Sequence, residues 1–246
     1  MLRDALQRGV CHLWYLNPAS LTAQTLERGL ALLSTEEMAR YKRFLVPVPA
    51  QTFLAARILV RSVLSLYYPL DPAAWRFESN PWGRPYIANP EAPPGLVFNL
   101  SHKPGLVTCL AGMGRDLGVD VEDCSANRTY LIEIASRFFS PSEASGLLEL
   151  PEAMRPQRFF ELWTLKEAYI KARGRGLSLG LSHFSFAIGE QIPPMVHFDE
   201  GFDDDPQSWD FRFFRPDERH LIATAVRRSP DPLVIEAAEW EPSLKR

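Results

Sequence analysis

Two short stretches of this chain combine acids and bases in a way that could do phosphate chemistry. In Gly118-Val-Asp-Val-Glu122 the acids alternate with valine, so Asp120 and Glu122 leave the same face of a strand. In Trp163-Thr-Leu-Lys-Glu-Ala-Tyr-Ile-Lys171, Leu, Ala and Lys are good helix formers, and no Gly or Pro interrupts until Gly174. At helical spacing Trp163, Glu167 and Lys171 share one face, with Lys166 beside it. Three carboxylates and two ammonium groups suit a divalent metal holding a polyphosphate, because magnesium prefers one or two carboxylates plus phosphate oxygens. A third stretch adds to this. Asn99 and Ser101 share a strand face, His102 follows, and Lys103-Pro-Gly105 turns the chain back, so hydroxyl, imidazole and backbone donors are placed for a phosphate. Each feature has a plain reading of its own. Glu167 with Lys171 would be a helix ion pair worth a few tenths of a kcal/mol, and Asp120 with Glu122 the polar face of an edge strand. His102 would be a structural histidine. Their joint occurrence favours a site.

The elements that must position these residues follow from patterning. His12–Leu16 reads as an opening strand. Ser34–Phe44 begins with capping residues and acids and ends with bases, as a helix dipole favours. Residues 52–67 have apolar residues at helical spacing, with Arg57 and Arg61 on one face. Strands are expected over Leu96–Ser101 and Leu106–Ala111, and the border between halves at Gly112–Asp116. In the second half, 127–139 is expected to be helical, Ser140-Pro-Ser-Glu143 to cap a further helix, and 156–173 to form the helix of the Trp163–Lys171 stretch. Strands near Phe184–Ile188, Trp209–Phe214 and Leu221–Val226 complete it, and the acidic run 199–206 reads as a solvated turn. The order of elements suggests an α+β chain of two similar lobes, 1–115 and 116–246, the second carrying the acidic strand.

Composition narrows the function classes. A chain of 246 residues, 46% apolar and 23% charged, is ordinary for a globular protein. A net charge of -3 argues against nucleic-acid binding, so an anionic substrate must be met by local basic clusters. Three cysteines without a C-x-x-C pair suggest neither a disulfide framework nor zinc. The charged N-terminus is unlike a signal peptide, and no apolar run is long enough to span a bilayer. A cytoplasmic protein without a membrane partner is expected.

Phe98-Asn-Leu-Ser-His102, Gly118–Glu122 and Phe160-Glu-Leu-Trp-Thr-Leu-Lys-Glu-Ala-Tyr-Ile-Lys171 closely resemble the three signatures of the Sfp-type 4′-phosphopantetheinyl transferases. Arg40–Phe44, Leu59–Val63, Gly83–Pro85, Arg137–Ser140 and Gly174–Leu179 look like its weaker landmarks in order, so the likeness runs from about residue 35 to 190. Arg84 and Arg175 stand where the family usually has Lys, and Gln51 where many members carry a base.

The resemblance implies two lobes related by pseudo-twofold symmetry, with the site at their interface. It implies magnesium-dependent transfer, with manganese an alternative, of the phosphopantetheine arm of coenzyme A to a serine of an acyl- or peptidyl-carrier protein, releasing adenosine 3′,5′-bisphosphate. Asp120, Glu122 and Glu167 would hold the metal. Glu167 would also be the general base, and Lys166 and Lys171 would neutralise phosphates, Lys171 counting as catalytic. Ser101, His102 and Arg84 would bind the nucleotide, with Arg57 drawn from the basic set Arg40, Lys42, Arg43, Arg57 and Arg61. Trp163 would pack. Arg173, Arg175, Leu177 and Leu179 would dock the carrier, and a single chain would suffice as a monomer. Alternatives with the same residues are a metal-dependent pyrophosphate hydrolase and a non-catalytic carrier-binding module.

Overall fold

A computed structural model describes residues 2–125, 130–189, 192–230 and 232–242. The chain runs α1 (Leu2–Gln7), β1 (Val10–Leu16), α2 (Ala23–Leu30), α3 (Thr35–Tyr41), α4 (Pro47–Tyr67), β2 (Phe77–Ser79), β3 (Pro85–Ile87), β4 (Leu96–Lys103), β5 (Leu106–Met113) and β6 (Leu117–Asp123). It continues α5 (Leu131–Phe138), α6 (Pro141–Glu149), α7 (Arg155–Arg173), β7 (Phe184–Ala187), β8 (Met195–Phe198), β9 (Trp209–Phe214), β10 (His220–Arg227) and β11 (Val234–Glu239). The mixed α+β architecture is as expected. Residues 127–129 of the expected 127–139 helix lie outside the described residues, and the rest is α5.

One connectivity occurs twice: strand, helices, short hairpin, then two strands. In the first pass β1, β5 and β4 are neighbours in that order, and in the second β6, β10 and β9, all antiparallel. Each pass lays a long helix on its sheet. α4 buries Leu54, Leu59, Val63 and Leu64 against Phe98, Cys109 and Ala111, and α7 buries Leu165, Ala168 and Ala172 against Leu221, Ala223 and Ala225. A third apolar cluster, with Leu13, Leu110, Val119, Val121 and Ile222, lies on the sheet faces turned away from these helices. Valines 119 and 121 take that inner face, so Gly118, Asp120 and Glu122 turn toward α7.

Local signals account for the helix ends. Ser34 accepts from Glu37 N while Glu37 accepts from Ser34 N, and Ser140 with Glu143 repeats the capping box at α6. Gly174, at φ 64°, closes α7 in the left-handed region.

The tail departs from a simple split at 115/116. β11 pairs in parallel with β1, adding a fourth strand to the first sheet, and Trp240 N donates to Tyr15 O. The chain therefore returns to its first lobe. Its weak pattern, exposed at five of six positions, explains why no strand is expected there from sequence. The acidic run 199–206 is more than a solvated turn. The Asp204 side chain is almost fully buried and accepts from Tyr169 Oη (2.7 Å), Trp209 Nε1 (3.0 Å), Arg227 and Arg173, anchoring the run to α7.

Candidate active site

β4 and β6 are edge strands of separate sheets, and side chains take the place of a backbone ladder between them. Asn99 Oδ1 accepts from Val119 N (2.9 Å), Ser101 Oγ accepts from Val121 N (3.3 Å), and Lys103 Nζ pairs with Glu122 Oε1 (3.0 Å). Alternation puts 99, 101 and 103 on one face of β4, so one strand supplies three successive ties. Sequence reading singled out Asn99 and Ser101 but missed Lys103 as a site residue. The same period of two would have included it.

α7 lies directly on this seam. A Cβ at Gly118 would run into the carbonyl oxygen of Ala168 and the backbone nitrogen of Ala172, so only glycine allows this approach. The contact delivers Glu167 and Lys171 over Asp120. Lys171 Nζ donates to Asp120 Oδ1 (2.6 Å) and to Ser101 Oγ (2.9 Å), and the Ser101 hydroxyl donates to the same Asp120 oxygen (2.8 Å). Asp120 Oδ2 is buried without a hydrogen-bond partner among the described residues. Burial, the charge of Asp120 and that of Glu122 raise the Glu167 pKa to about 7, against the opposing pull of Lys171 and Lys103. The three expected metal ligands thus share one electrostatic environment. As they stand, no three carboxylate, imidazole or thiolate groups among the described residues form a ready-made cation cage. Lys171 and Lys103 occupy one oxygen each of Asp120 and Glu122. The donor set fits a hard divalent cation: it is all oxygen, includes a buried unpartnered oxygen, and has an excess of like charge that keeps Glu167 partly protonated.

His102 is exposed beside the seam. Protein packed around its ring, then the positive fields of Lys171, Arg57, Arg40 and Lys103, lower its pKa. Those fields mark a cationic cup open to an anion. Arg57 stands on its rim, ion-paired with Glu37 (2.8 Å) and stacked on Phe53, where Arg40 also stacks. Arg61 is withdrawn: it is buried, pairing with Glu37 (2.6 Å) and donating to Trp75 O. Beyond Glu167 and Lys171 a cavity of about 330 Å³ opens, walled by Trp82, Pro85, Leu100, Ile170 and Leu177.

Three expected ligands sit differently. Lys166 is fully buried on the far side of α7. Its ammonium pairs with Glu143 (2.7 Å), donates to the carbonyls of Leu181 (2.8 Å) and Phe184, and lies over the Phe184 ring. Position 166 is rotated about 100° from 167 on the helix, enough to turn it into the core. It is a core cation and no phosphate ligand. Ser101 has no donor left for a phosphate, because its one O–H is given to Asp120 and it accepts from Lys171 and Val121. It sets Asp120 in place instead. Arg84 lines the cavity, yet Nη1 donates to Ala172 O (2.6 Å) and Nη2 to Leu117 O (3.0 Å), tying the first lobe to α7 and β6. Of the expected docking residues, Arg173 is tied to Asp204 and Leu179 packs on the second core, leaving Arg175 and Leu177 exposed. Trp163 packs on Phe159 and Phe138 as expected.

Comparison with known proteins agrees over both lobes. A model of the 4′-phosphopantetheinyl transferase superfamily matches residues 116–225, and one of the N-terminal region of 4′-phosphopantetheinyl transferases matches 20–114. The 4′-phosphopantetheinyl transferase HetI of Nostoc sp. is 33% identical over 215 residues, 87% of this chain and 86% of that protein. A 4′-phosphopantetheinyl transferase of Bacillus subtilis is 32% identical over 206 residues, 84% and 87% of the two chains. The transferase Sfp of Bacillus subtilis strain 168 is 37% identical over 168 residues, 68% and 72%. The fold and the seam thus define a two-lobed transferase. The chain belongs to the 4′-phosphopantetheinyl transferase family.

Proposed function

We propose that the chain transfers the 4′-phosphopantetheine arm of coenzyme A to a serine of an apo acyl- or peptidyl-carrier protein, with magnesium, releasing adenosine 3′,5′-bisphosphate. The observation that carries this is the seam itself: Glu167, with a pKa near 7, beside the unpartnered Oδ2 of Asp120, at the mouth of a cavity next to a cationic cup. Asp120, Glu122 and Glu167 would hold magnesium or manganese, which when bound supplies charge neutralisation on the pyrophosphate. The serine oxygen attacks the phosphorus that bears the pantetheine arm. The bond from that phosphorus to the bridging oxygen breaks, and the electron pair leaves with the bisphosphate. Glu167 takes the serine proton, directly or through water. Lys171 and Lys103 are free to meet phosphate oxygens once the carboxylates find another cation. His102, Arg57 and Arg40 would receive the nucleotide phosphate, and Trp82 with Leu100 would wall the coenzyme.

Arg175 and Leu177, exposed just past α7, are our candidates for touching the carrier. We assign residues 1–115 to the first lobe and 116–246 to the second, apart from the returning β11. No helix of the described residues is long and apolar enough to cross a membrane. A cytoplasmic monomer with no nucleic-acid or membrane partner completes the proposal. Its test is stoichiometric: coenzyme A, apo-carrier and enzyme should give one adenosine 3′,5′-bisphosphate per carrier modified, dependent on added magnesium. Bisphosphate formed without carrier modification would make the chain a hydrolase instead.

A further inference from the structure

His220 opens β10 in the second lobe and is almost completely buried, yet its ring reaches into the first lobe. Its Nδ1 faces both oxygens of Asp217, at 2.8 and 3.0 Å, and its Nε2 faces the carbonyl oxygen of Pro104 at 3.1 Å. Both partners are oxygen acceptors, so a ring N–H must serve as the donor to them. Asp217 is held in turn, since Oδ1 also accepts from the backbone nitrogens of Arg219 (2.8 Å) and His220 (2.8 Å). Pro104 is the middle of the β4–β5 turn. Gly105, at φ 92°, completes that turn, and a Cβ there would meet His220 Cε1 at 3.2 Å. The turn therefore fits this ring closely. Its leading arm carries His102 and Lys103, the members of the cationic cup and of the Glu122 pair that stand farthest along the seam.

We propose that His220 is a positioning residue. From the second lobe it locks the Lys103-Pro-Gly105 turn of the first, and so fixes His102 and Lys103 against the coenzyme's phosphates. The inference rests on the function proposed above, since the phosphates belong to that substrate. The lock itself is a statement about the turn alone. Asp217 orients the ring and holds it against Pro104, in the manner of a carboxylate behind an imidazole. Nothing in this arrangement touches the reacting atoms. Its loss should weaken coenzyme binding more than turnover.

The test compares wild type with His220→Phe, which keeps the ring and loses both hydrogen bonds, and His220→Gln, which can still donate to Pro104 O. In each, KM for coenzyme A and kcat are measured with saturating apo-carrier, along with amide hydrogen exchange at Gly105 and Leu106. His220→Phe is expected to raise KM about tenfold, the scale of one lost charge-assisted hydrogen bond, with kcat within about twofold. Faster exchange in the turn should accompany it, and His220→Gln should recover most of both losses. Asp217→Asn, which leaves the imidazole in place, should shift KM in the same direction by less, and stands in if the Phe variant does not fold. Unchanged KM and unchanged exchange, or a Gln variant no better than Phe, would overturn the proposal. The exchange measurement judges the lock even if wild type shows no transfer, so its failure is separable from failure of the assigned activity.

Discussion

The Ser101 hydroxyl donates to Asp120 Oδ1 at 2.8 Å across a gap between two sheets that share no backbone ladder there. One short side chain thus sets the position of the carboxylate beneath Glu167. Its single proton is given to Asp120, so Ser101 has none to offer an anion in this arrangement.

Ser101→Ala should therefore disturb the metal more than the nucleotide. The concentration of magnesium giving half-maximal activity should rise about tenfold, the scale of one lost charge-assisted hydrogen bond, with KM for coenzyme A changed little. Magnesium and coenzyme titrations on the same preparation check this. A rise confined to the coenzyme KM would make Ser101 a phosphate ligand after all.

Glu167→Gln should lower transfer by about a hundredfold to ten-thousandfold, the range for loss of a general base, while stabilising the metal-free fold at alkaline pH. The sign follows from a folded pKa raised to about 7. A carboxyl whose pKa is raised on folding supports the native state below its unfolded pKa, and that support is lost as pH rises through 7. Metal-free wild type should then gain in Tm between pH 8 and pH 6 relative to the Gln variant. Parallel Tm curves for the two proteins would contradict the shift.

Gly118→Ala should be severe for so small a change. The added methyl meets the Ala168 carbonyl and the Ala172 nitrogen, so α7 must lift from β6. Overpacking of this kind costs about 1 to 3 kcal/mol, and transfer should fall more than stability, because Glu167 and Lys171 ride on the displaced helix. Urea unfolding beside steady-state rates separates the two effects.

Lys166→Met tests the reassignment of that residue to the core. It strands the Glu143 carboxylate, and breaking such a buried pair costs about 3 to 5 kcal/mol. Adding Glu143→Gln, which keeps the acceptor for Phe186 N, should restore much of the stability. KM for coenzyme A in the double variant should match wild type. A tenfold rise there would return Lys166 to the phosphates.

Much of the site could be read from one dimension because its pieces obey short periods. Asp120 with Glu122, Asn99 with Ser101, and Glu167 with Lys171 repeat at two or four residues, and each pair does share a face. Reading failed where the third dimension decides. Lys166 adjoins Glu167 in sequence, but helical rotation carries it into the core, and no pattern announced Glu143 as its partner. Arg84 looked like a phosphate ligand until the carbonyls of Ala172 and Leu117 came within its reach. β11 was missed because an edge strand held by one neighbour needs little apolar patterning. Asp204 looked like one acid among several, and only the fold brings Tyr169, Arg173, Trp209 and Arg227 to it.

The most direct measurement is the intact mass of an apo acyl- or peptidyl-carrier protein after incubation with coenzyme A, magnesium and this enzyme, with Asp120→Asn run alongside. Wild type should add one phosphopantetheine to the carrier serine, and the Asn variant should add little in the same time. A carrier left at its apo mass by wild type, or modified equally by both proteins, would contradict the seam as the site of transfer.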